Sequence, residues 1–435
     1  MLDAAPAGRG FLFLQGIATR FFERLGRALQ ERGHAVYRVN FNGGDRAFWR
    51  LPGALDFCGP EHEWPEFLDR LVVEKAISDV ILFGDCRPLH RAAIRVAERR
   101  LLRTHVVEEG YLRPDWITFE ESGVNGHSTL PRDPGWYRER ARSLPPWRDP
   151  PSVPGSFRRR AVEDVAYTMA SMAGMWRFPH YTTHRPYPQI IEYAGWLRRL
   201  ALQRRAERRA AAALENLPDG SDPLFLFPLQ LDCDYQVRVH SPFRAMHLGI
   251  EHVLGSFARH APVAARLVIK LHPLDSGLVD WAAMTGHIAV ELGIADRLSI
   301  IDGGDLDKLL ARTPSVVTVN STVGTLALAC GLPVIALGKA IYDIAGLTFQ
   351  GELHEFWNAP TSPDMALFDA FRRVLADRCL IPGSFFNEAG LALAVNAAVE
   401  RLEATDARPF RLHAARSAAV PAGAVEPIAA ATSMR

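Results

Sequence analysis

Residues 10–41 read GFLFLQGIATRFFERLGRALQERGHAVYRVNF. The apolar run at 10–16 ends in a glycine, the pattern of a buried strand entering a turn. Residues 19–32 then carry Phe21, Phe22, Leu25 and Leu29 at the spacing of one helix face. Gly33 is placed to close that helix, because glycine takes the left-handed conformation of a helix C-terminus at no steric cost. HAVYRVNF at 34–41 is the next strand. Strand, helix and strand in immediate succession predict a right-handed βαβ unit, and hence a parallel sheet.

Outward from this stretch the alternation continues. A turn at Asn42-Gly43-Gly44-Asp45 is followed by a helix near 63–75, a strand at 79–83, a helix near 89–100 and a strand at 104–108. A second series follows the turn cluster Pro218-Asp219-Gly220, where proline ends a helix at Leu217. Its strands are read at 224–228, 267–271, 298–301, 315–319 and 333–337, and its helices near 243–259, 278–292, 306–312 and 324–330. Between the two series the chain is rich in Pro, Arg and Trp, with one helix near 162–175 and a long arginine-loaded helix at 190–217. The expected organisation is a Rossmann-like domain at 1–130, a helical appendage and bridge at 131–217, a second Rossmann-like domain at 218–385, a helix at 386–404 crossing back to the first domain, and a disordered Ala/Pro/Ser-rich tail at 405–435. The fold class is therefore α/β, with two doubly wound domains facing a central cleft.

Composition narrows the function. Of 435 residues, 48% are hydrophobic and 23% charged, which is enough apolar surface for two cores. The 50 Lys and Arg nearly balance the 49 Asp and Glu, which argues against a nucleic-acid binder. Five cysteines, none in a C-x-x-C pair, argue against a disulfide framework or a zinc motif, and a reducing cytoplasmic compartment is expected. No signal segment or membrane-spanning run is read. The absence of G-x-G-x-x-G after the first strand counts against a dehydrogenase, and the absence of G-x-x-x-x-G-K-[ST] counts against a P-loop NTPase.

Ligands of doubly wound folds bind beyond the carboxyl ends of the strands, so the residues just after each strand carry the chemistry. Lys270, His272 and Pro273 end one strand of the second series; alternation puts the first two on one face, where a cation and an imidazole suit a phosphate. Asn320, Ser321 and Thr322 join a strand to a helix, where free N–H groups attract an anion. The loop at 228–236 brings Gln230, Asp232 and Asp234 to the cleft edge; D-x-D with no third ligand gives no metal site. In the first series, Glu108 and Glu109 end a strand and offer a general acid or base. The stretch 113–127 reads as a polar and aromatic loop facing an acceptor. Gln15, Asn42, Asp85, Arg87, Tyr111, Asn125 and His127 form the expected acceptor-binding set. The arginines at 198–209 suit an anionic membrane surface or a solvated helix face.

The strings FLQG, NFNGGD, ILFGDCRPLHR, EEGYLRPDWIT, GVNGHS, PLQ-x-x-x-D-x-Q, KLHP and NST-x-GT-x-AL-x-x-GLPV, spread over residues 10–400, resemble the capsule polysaccharide biosynthesis/export family, in its KpsS-like branch. The resemblance implies a GT-B-like, retaining β-Kdo transferase that takes CMP-Kdo as donor, with no metal or other cofactor. It implies a phosphatidylglycerol-type lipid acceptor at the inner face of the inner membrane, peripheral membrane association, and partnership with capsule biosynthesis and export machinery. Lys270 and His272 then match the donor-phosphate motif, Ser321 and Thr322 the turn holding the donor phosphate or Kdo carboxylate, and Asp234 the family's candidate nucleophile. Either Glu108 or Glu109 becomes the acid/base, and Asp232 stays an alternative to Asp234. The competing readings are a UDP-sugar transferase or epimerase of the same architecture, and a non-catalytic scaffold for polysaccharide export.

Overall fold

A computed structural model describes residues 8–183, 185, 187–217 and 222–404. The expected turn at 218–220 and the expected disordered tail lie outside the described residues.

Among the described residues twelve strands form two sheets: β1 (Gly10–Phe13), β2 (Ala35–Asn40), β3 (Ala54–Asp56), β4 (Asp79–Phe83), β5 (Arg103–Glu109), β6 (Trp116–Glu121), β7 (Leu224–Pro228), β8 (Arg266–Lys270), β9 (Leu298–Ile301), β10 (Ser315–Thr318), β11 (Val334–Ala336) and β12 (Leu380–Pro382). The first sheet has the order β12-β6-β5-β4-β1-β2-β3 and the second β11-β10-β7-β8-β9. All pairs are parallel except β5 with β6 and β6 with β12. The two doubly wound units face each other in the GT-B-like arrangement.

The opening stretch folds as read. The helix Phe21–Glu31 buries Phe21, Phe22, Leu25 and Leu29. Gly33, at φ +84°, donates to Gln30 O, and His34 N–H reaches Leu29 O, the doubly bonded glycine cap. The last helix, Glu388–Ala404, buries Leu391, Ala394, Ala398 and Leu402 against Phe11, Phe21 and Phe13 of the first unit.

Three readings need correction. Residues 113–127 are not a plain loop: WITFEE forms β6, antiparallel to β5. Its core face, Ile117 and Phe119, alternates with Thr118 and Glu120, which are polar yet also buried, so hydrophobicity alone hid the strand. The turn Asn42-Gly43-Gly44-Asp45 instead starts a short helix, Gly43–Ala47, with Asn42 as its cap accepting from Asp45 N–H at 2.9 Å. The segment expected as an appendage contributes to the core: Tyr137 and Ala141 of the helix Pro134–Ala141 are buried beside Phe371, and the helix Phe157–Ala173 packs on residues 43–47.

Each sheet has one topological switch point. In the first it lies between β1 and β4, at Gln15; in the second between β7 and β10, at Gln230 and Asn320. Crevices open at such points, and in this molecule the two open toward each other.

Candidate active site

A cleft of about 390 Å³ lies between the sheets. Its wall holds Gln15, Arg87, Glu108, Glu109, Tyr111 and Asn125 from the first unit and Gln230, Asp234, His272, Asn320, Ser321 and Thr322 from the second. Twelve of the seventeen residues expected from sequence therefore meet in one space.

The two glutamates at the end of β5 differ. Burial pushes the Glu108 carboxyl up to about 8, assisted by the negative charges of Asp85, Asp234 and Glu109; the Asn125 amide, donating at 2.6 Å, opposes the shift only in part. Burial acts on Glu109 too, but Arg113 at 2.9 Å and Arg160 at 2.7 Å outweigh it and hold Glu109 below the usual carboxylate range. At neutral pH Glu108 thus carries a proton and Glu109 is an ion-paired carboxylate.

Asn125 is held from behind. Its N–H donates to the Tyr111 hydroxyl at 2.7 Å, and that hydroxyl donates to Glu120 at 2.9 Å. Ser128 also donates to Glu120, whose carboxyl burial raises to about 7. Asn125 sits at φ +56°, a conformation that asparagine tolerates better than most residues.

The two acids of the 228–236 loop also separate. Asp232 accepts from Met246 N–H at 2.7 Å and so caps the helix Met246–His260. Asp234 lines the cleft, caps the short helix Tyr235–Arg238 by accepting from Gln236 N–H at 2.9 Å, and is raised by burial despite that bond. Gln230 accepts from Asn320 N–H at 2.8 Å, and Asn320 donates to Gln236 at 2.6 Å, tying this loop to the turn after β10.

His272 faces the cleft. Burial and the nearby Arg113 lower it to about 4, so it is neutral; its Nδ1 accepts from Leu274 N–H at 3.1 Å, leaving Nε2–H for a ligand. Lys270 does not join it. Alternation puts it on a buried face, but its ammonium is turned to the Gly303 carbonyl, away from the cleft wall. Pro273 is likewise outside the wall. Ser321 Oγ accepts from Val323 N–H at 3.2 Å.

Three expected acceptor residues lie behind the cleft. Asn42 is buried, donating to Tyr167 Oη at 3.0 Å. Asp85 accepts from Val124 N–H at 3.1 Å and His127 Nδ1 at 3.0 Å, and it lies beside Cys86 and His240, with ligand atoms of the four residues within 4.8 Å of one another. No local motif marks that cluster, since only Asp85 and Cys86 are neighbours in sequence.

The segment read as an appendage supplies residues that sequence reasoning did not single out. Arg160, Tyr167, Tyr181 and Arg185 line the cleft. Gln15 donates to Tyr167 at 2.9 Å and Tyr181 at 3.0 Å, and Tyr167 donates to Asp45 at 2.9 Å. The only signal was composition, arginine and aromatics in a region without regular alternation. Arg185 is paired with Asp164 and Glu192. Arg87 makes no ion pair among the described residues, and its guanidinium lies 5.7 Å from the Phe83 ring centre.

Chemically the cleft offers the Glu108 and Asp234 carboxyl groups on opposite walls, the first protonated, with the ion-paired Glu109, arginines, a neutral imidazole N–H and hydroxyls around them. That set fits displacement at a carbon bearing an anionic leaving group. Among the described residues no helix is long and apolar enough to cross a membrane.

Comparison with known proteins gives three results. The capsule polysaccharide biosynthesis protein family matches residues 78–386. The chain is 36% identical over 379 residues to the capsule polysaccharide export protein KpsS of Escherichia coli, covering 86% of this chain and 96% of that one. It is 35% identical over 393 residues to the capsule polysaccharide modification protein LipB of Neisseria meningitidis serogroup A, covering 88% and 93%. Among solved structures, the KpsC beta Kdo 2,7 transferase of Thermosulfurimonas dismutans aligns over 91% of this chain and all of that one at 15% identity and a TM-score of 0.43. A UDP-GlcNAc 2-epimerase from Methanocaldococcus jannaschii aligns at 14% identity over 91% of this chain and 99% of that one, with a TM-score of 0.29.

Proposed function

The chain belongs to the capsule polysaccharide biosynthesis family, and on that premise we propose that it is a retaining glycosyltransferase moving Kdo from CMP-Kdo to a phosphatidylglycerol-type lipid. The observation that carries this reading is the pairing across the cleft of Asp234, from the second unit, with a protonated Glu108 from the first.

The steps balance as a double displacement. Asp234 attacks the anomeric carbon as a carboxylate, whose charge the Gln236 N–H, the Gln230 amide and Arg113 favour against burial. The bond to the CMP phosphate oxygen breaks, and Glu108 gives that oxygen its proton. Glu108, now a carboxylate, takes the proton of the acceptor hydroxyl, which displaces Asp234 and restores the original configuration. CMP-Kdo carries two anionic groups, its phosphate and the sugar carboxylate. Arg87, His272 Nε2–H and the Ser321 and Thr322 hydroxyls are the groups of the wall suited to them. No metal is assigned a part in these steps.

In this reading the first unit takes the acceptor and the second holds the donor, with Arg87 reaching the donor's anionic groups from the first unit. A lipid acceptor needs a route to a bilayer. The helices Phe157–Ala173 and Gln189–Glu215, both of which contribute residues to the cleft or begin beside it, and the segment between them expose Met169, Leu197 and Trp176, the last 89% exposed, together with Arg204, Arg205, Arg208 and Arg209. Apolar side chains among arginines suit an anionic membrane face, and a peripheral site at the inner membrane is proposed on that ground.

The test is incubation with CMP-Kdo and a lysophosphatidylglycerol acceptor, with mass analysis of the lipid. A product heavier by one Kdo residue is expected. Binding of CMP-Kdo without any lipid product would instead favour a scaffold, and turnover of a UDP-sugar alone would replace the donor.

A further inference from the structure

Behind the cleft, four side chains from three separate loops converge. Asp85 and Cys86 follow β4, His127 lies in the turn Asn125–His127, and His240 follows the helix Tyr235–Arg238 of the second unit. Cys86 Sγ lies 3.1 Å from Asp85 Oδ1 and 3.3 Å from His240 Nε2; His127 Nδ1 lies 3.0 Å from Asp85 Oδ2; the two imidazole rings are 4.6 Å apart, edge to face. One donor atom of each group lies within 4.8 Å of the other three. Such spacings suit four ligands around one tetrahedral ion, whose bonds run from about 2.0 to 2.3 Å.

Charge gives a second, independent reason. Asp85 is 3% exposed, and among the described residues no arginine or lysine pairs with it. A buried carboxylate whose only ion-pair partner is an imidazole lacks a strong compensating cation. A divalent ion bound by one carboxylate, one thiolate and two neutral imidazoles makes the cluster neutral. Packing is tight there as well: a Cβ on Gly126 would lie 2.5 Å from His240 Nδ1, so only a glycine lets the two loops meet.

We propose that Asp85, Cys86, His127 and His240 form a tetrahedral site for a divalent transition metal of the zinc class, joining the two units behind the cleft. The ligand set, borderline-soft with imidazole and thiolate, selects zinc or cobalt over magnesium and calcium. Cys86 is buried and outside the cleft wall, so it acts as a ligand and not as a nucleophile toward substrate. The site's consequence is positional. His127 is two residues from Asn125, which donates to Glu108, and His240 N–H bonds to Tyr235 O in the turn that Asp234 caps. One ion thereby sets the separation of the two carboxyl groups on either side of the cleft.

The inference does not depend on the transferase reading, because its readout is the metal itself. The full chain is purified without chelator, desalted and measured for metal content; the protein is then stripped and titrated with Co²⁺. About one zinc per chain is expected, with a thiolate-to-cobalt band in the near ultraviolet on titration and a fall in Tm on stripping. The variants Cys86→Ser and His240→Gln lose the ion, and Cys86→Ser loses the thiolate-to-cobalt band, while Cys58→Ala, a cysteine outside the cluster, keeps both. A wild-type chain that takes up neither Zn²⁺ nor Co²⁺ stoichiometrically would overturn the proposal, as would full occupancy in Cys86→Ser. If a variant fails to fold, the wild-type titration alone decides.

Discussion

Glu108 and Glu109 are adjacent in the chain and opposite in electrostatics. Neither the residue type nor the strand position distinguishes them; two arginines do, one of them 51 positions away, at Arg160. The difference is measurable. Glu108 is raised to about 8 in the fold and titrates near 4.3 when unfolded. Between those values the native state binds more protons than the unfolded state, so this group's contribution to stability falls as pH rises through the window. Glu108→Gln should therefore raise Tm relative to wild type more at pH 9 than at pH 5, which a pair of thermal melts can read; an equal shift at both pH values would reject the raised pKa. The same substitution should lower kcat for transfer by about 10²–10⁴-fold, the range for losing a general acid–base group. Asp232 and Asp234 offer a second contrast. Asp232→Ala removes a helix-capping acceptor and should cost about 1 kcal/mol of stability with little loss of turnover. Asp234→Ala should abolish transfer while binding of CMP persists.

At the scale of elements, close backbone approach positions the distant residues of the cleft. A Cβ on Gly43 would lie 2.1 Å from the Ala170 carbonyl oxygen, so the helix Phe157–Ala173 sits directly on residues 43–47. Gly43→Ala must push that helix off. Tyr167, bonded to Gln15, Asn42 and Asp45, would move with it. The expected outcome is a raised KM alongside reduced stability, whereas an unchanged KM would separate this contact from the cleft. Leu391, fully buried where the last helix meets the first unit, should cost about 2–5 kcal/mol on Leu391→Ala in a denaturant melt. The elements also explain what the sequence could disclose. Most parallel strands were readable because they are apolar runs ending in a glycine, proline or polar turn, and strand ends are where ligands go; β3, three residues with no buried position, was not. Hence Gln15, Gln230, His272 and Asn320 were legible as cleft residues. Lys270 was not: alternation gives the face of a strand, but not that the Gly303 loop covers it. β6 was hidden by the buried polar residues Thr118 and Glu120. Arg160, Tyr167 and Arg185 reach the cleft only through tertiary packing, for which no local pattern exists.

Across the whole molecule, the cleft is assembled from both units. Thr325 of the second unit donates to the Tyr111 carbonyl of the first at 3.0 Å, and Cys86 meets His240 at 3.3 Å. A ligand held by both walls should bind the closed pair and raise Tm by mass action. CMP is expected to do so more strongly than UDP at equal concentration, and a larger shift with UDP would redirect the donor assignment. The most direct measurement of the central claim is the intact mass of the wild type and of Glu108→Gln after incubation with CMP-Kdo alone, where the missing acceptor leaves the second displacement without its nucleophile. A gain of one Kdo residue, mapped by peptide analysis to Asp234, is the predicted result. Lipid product formed by the wild type with no adduct on any residue of either protein, or an adduct mapped elsewhere, would contradict it.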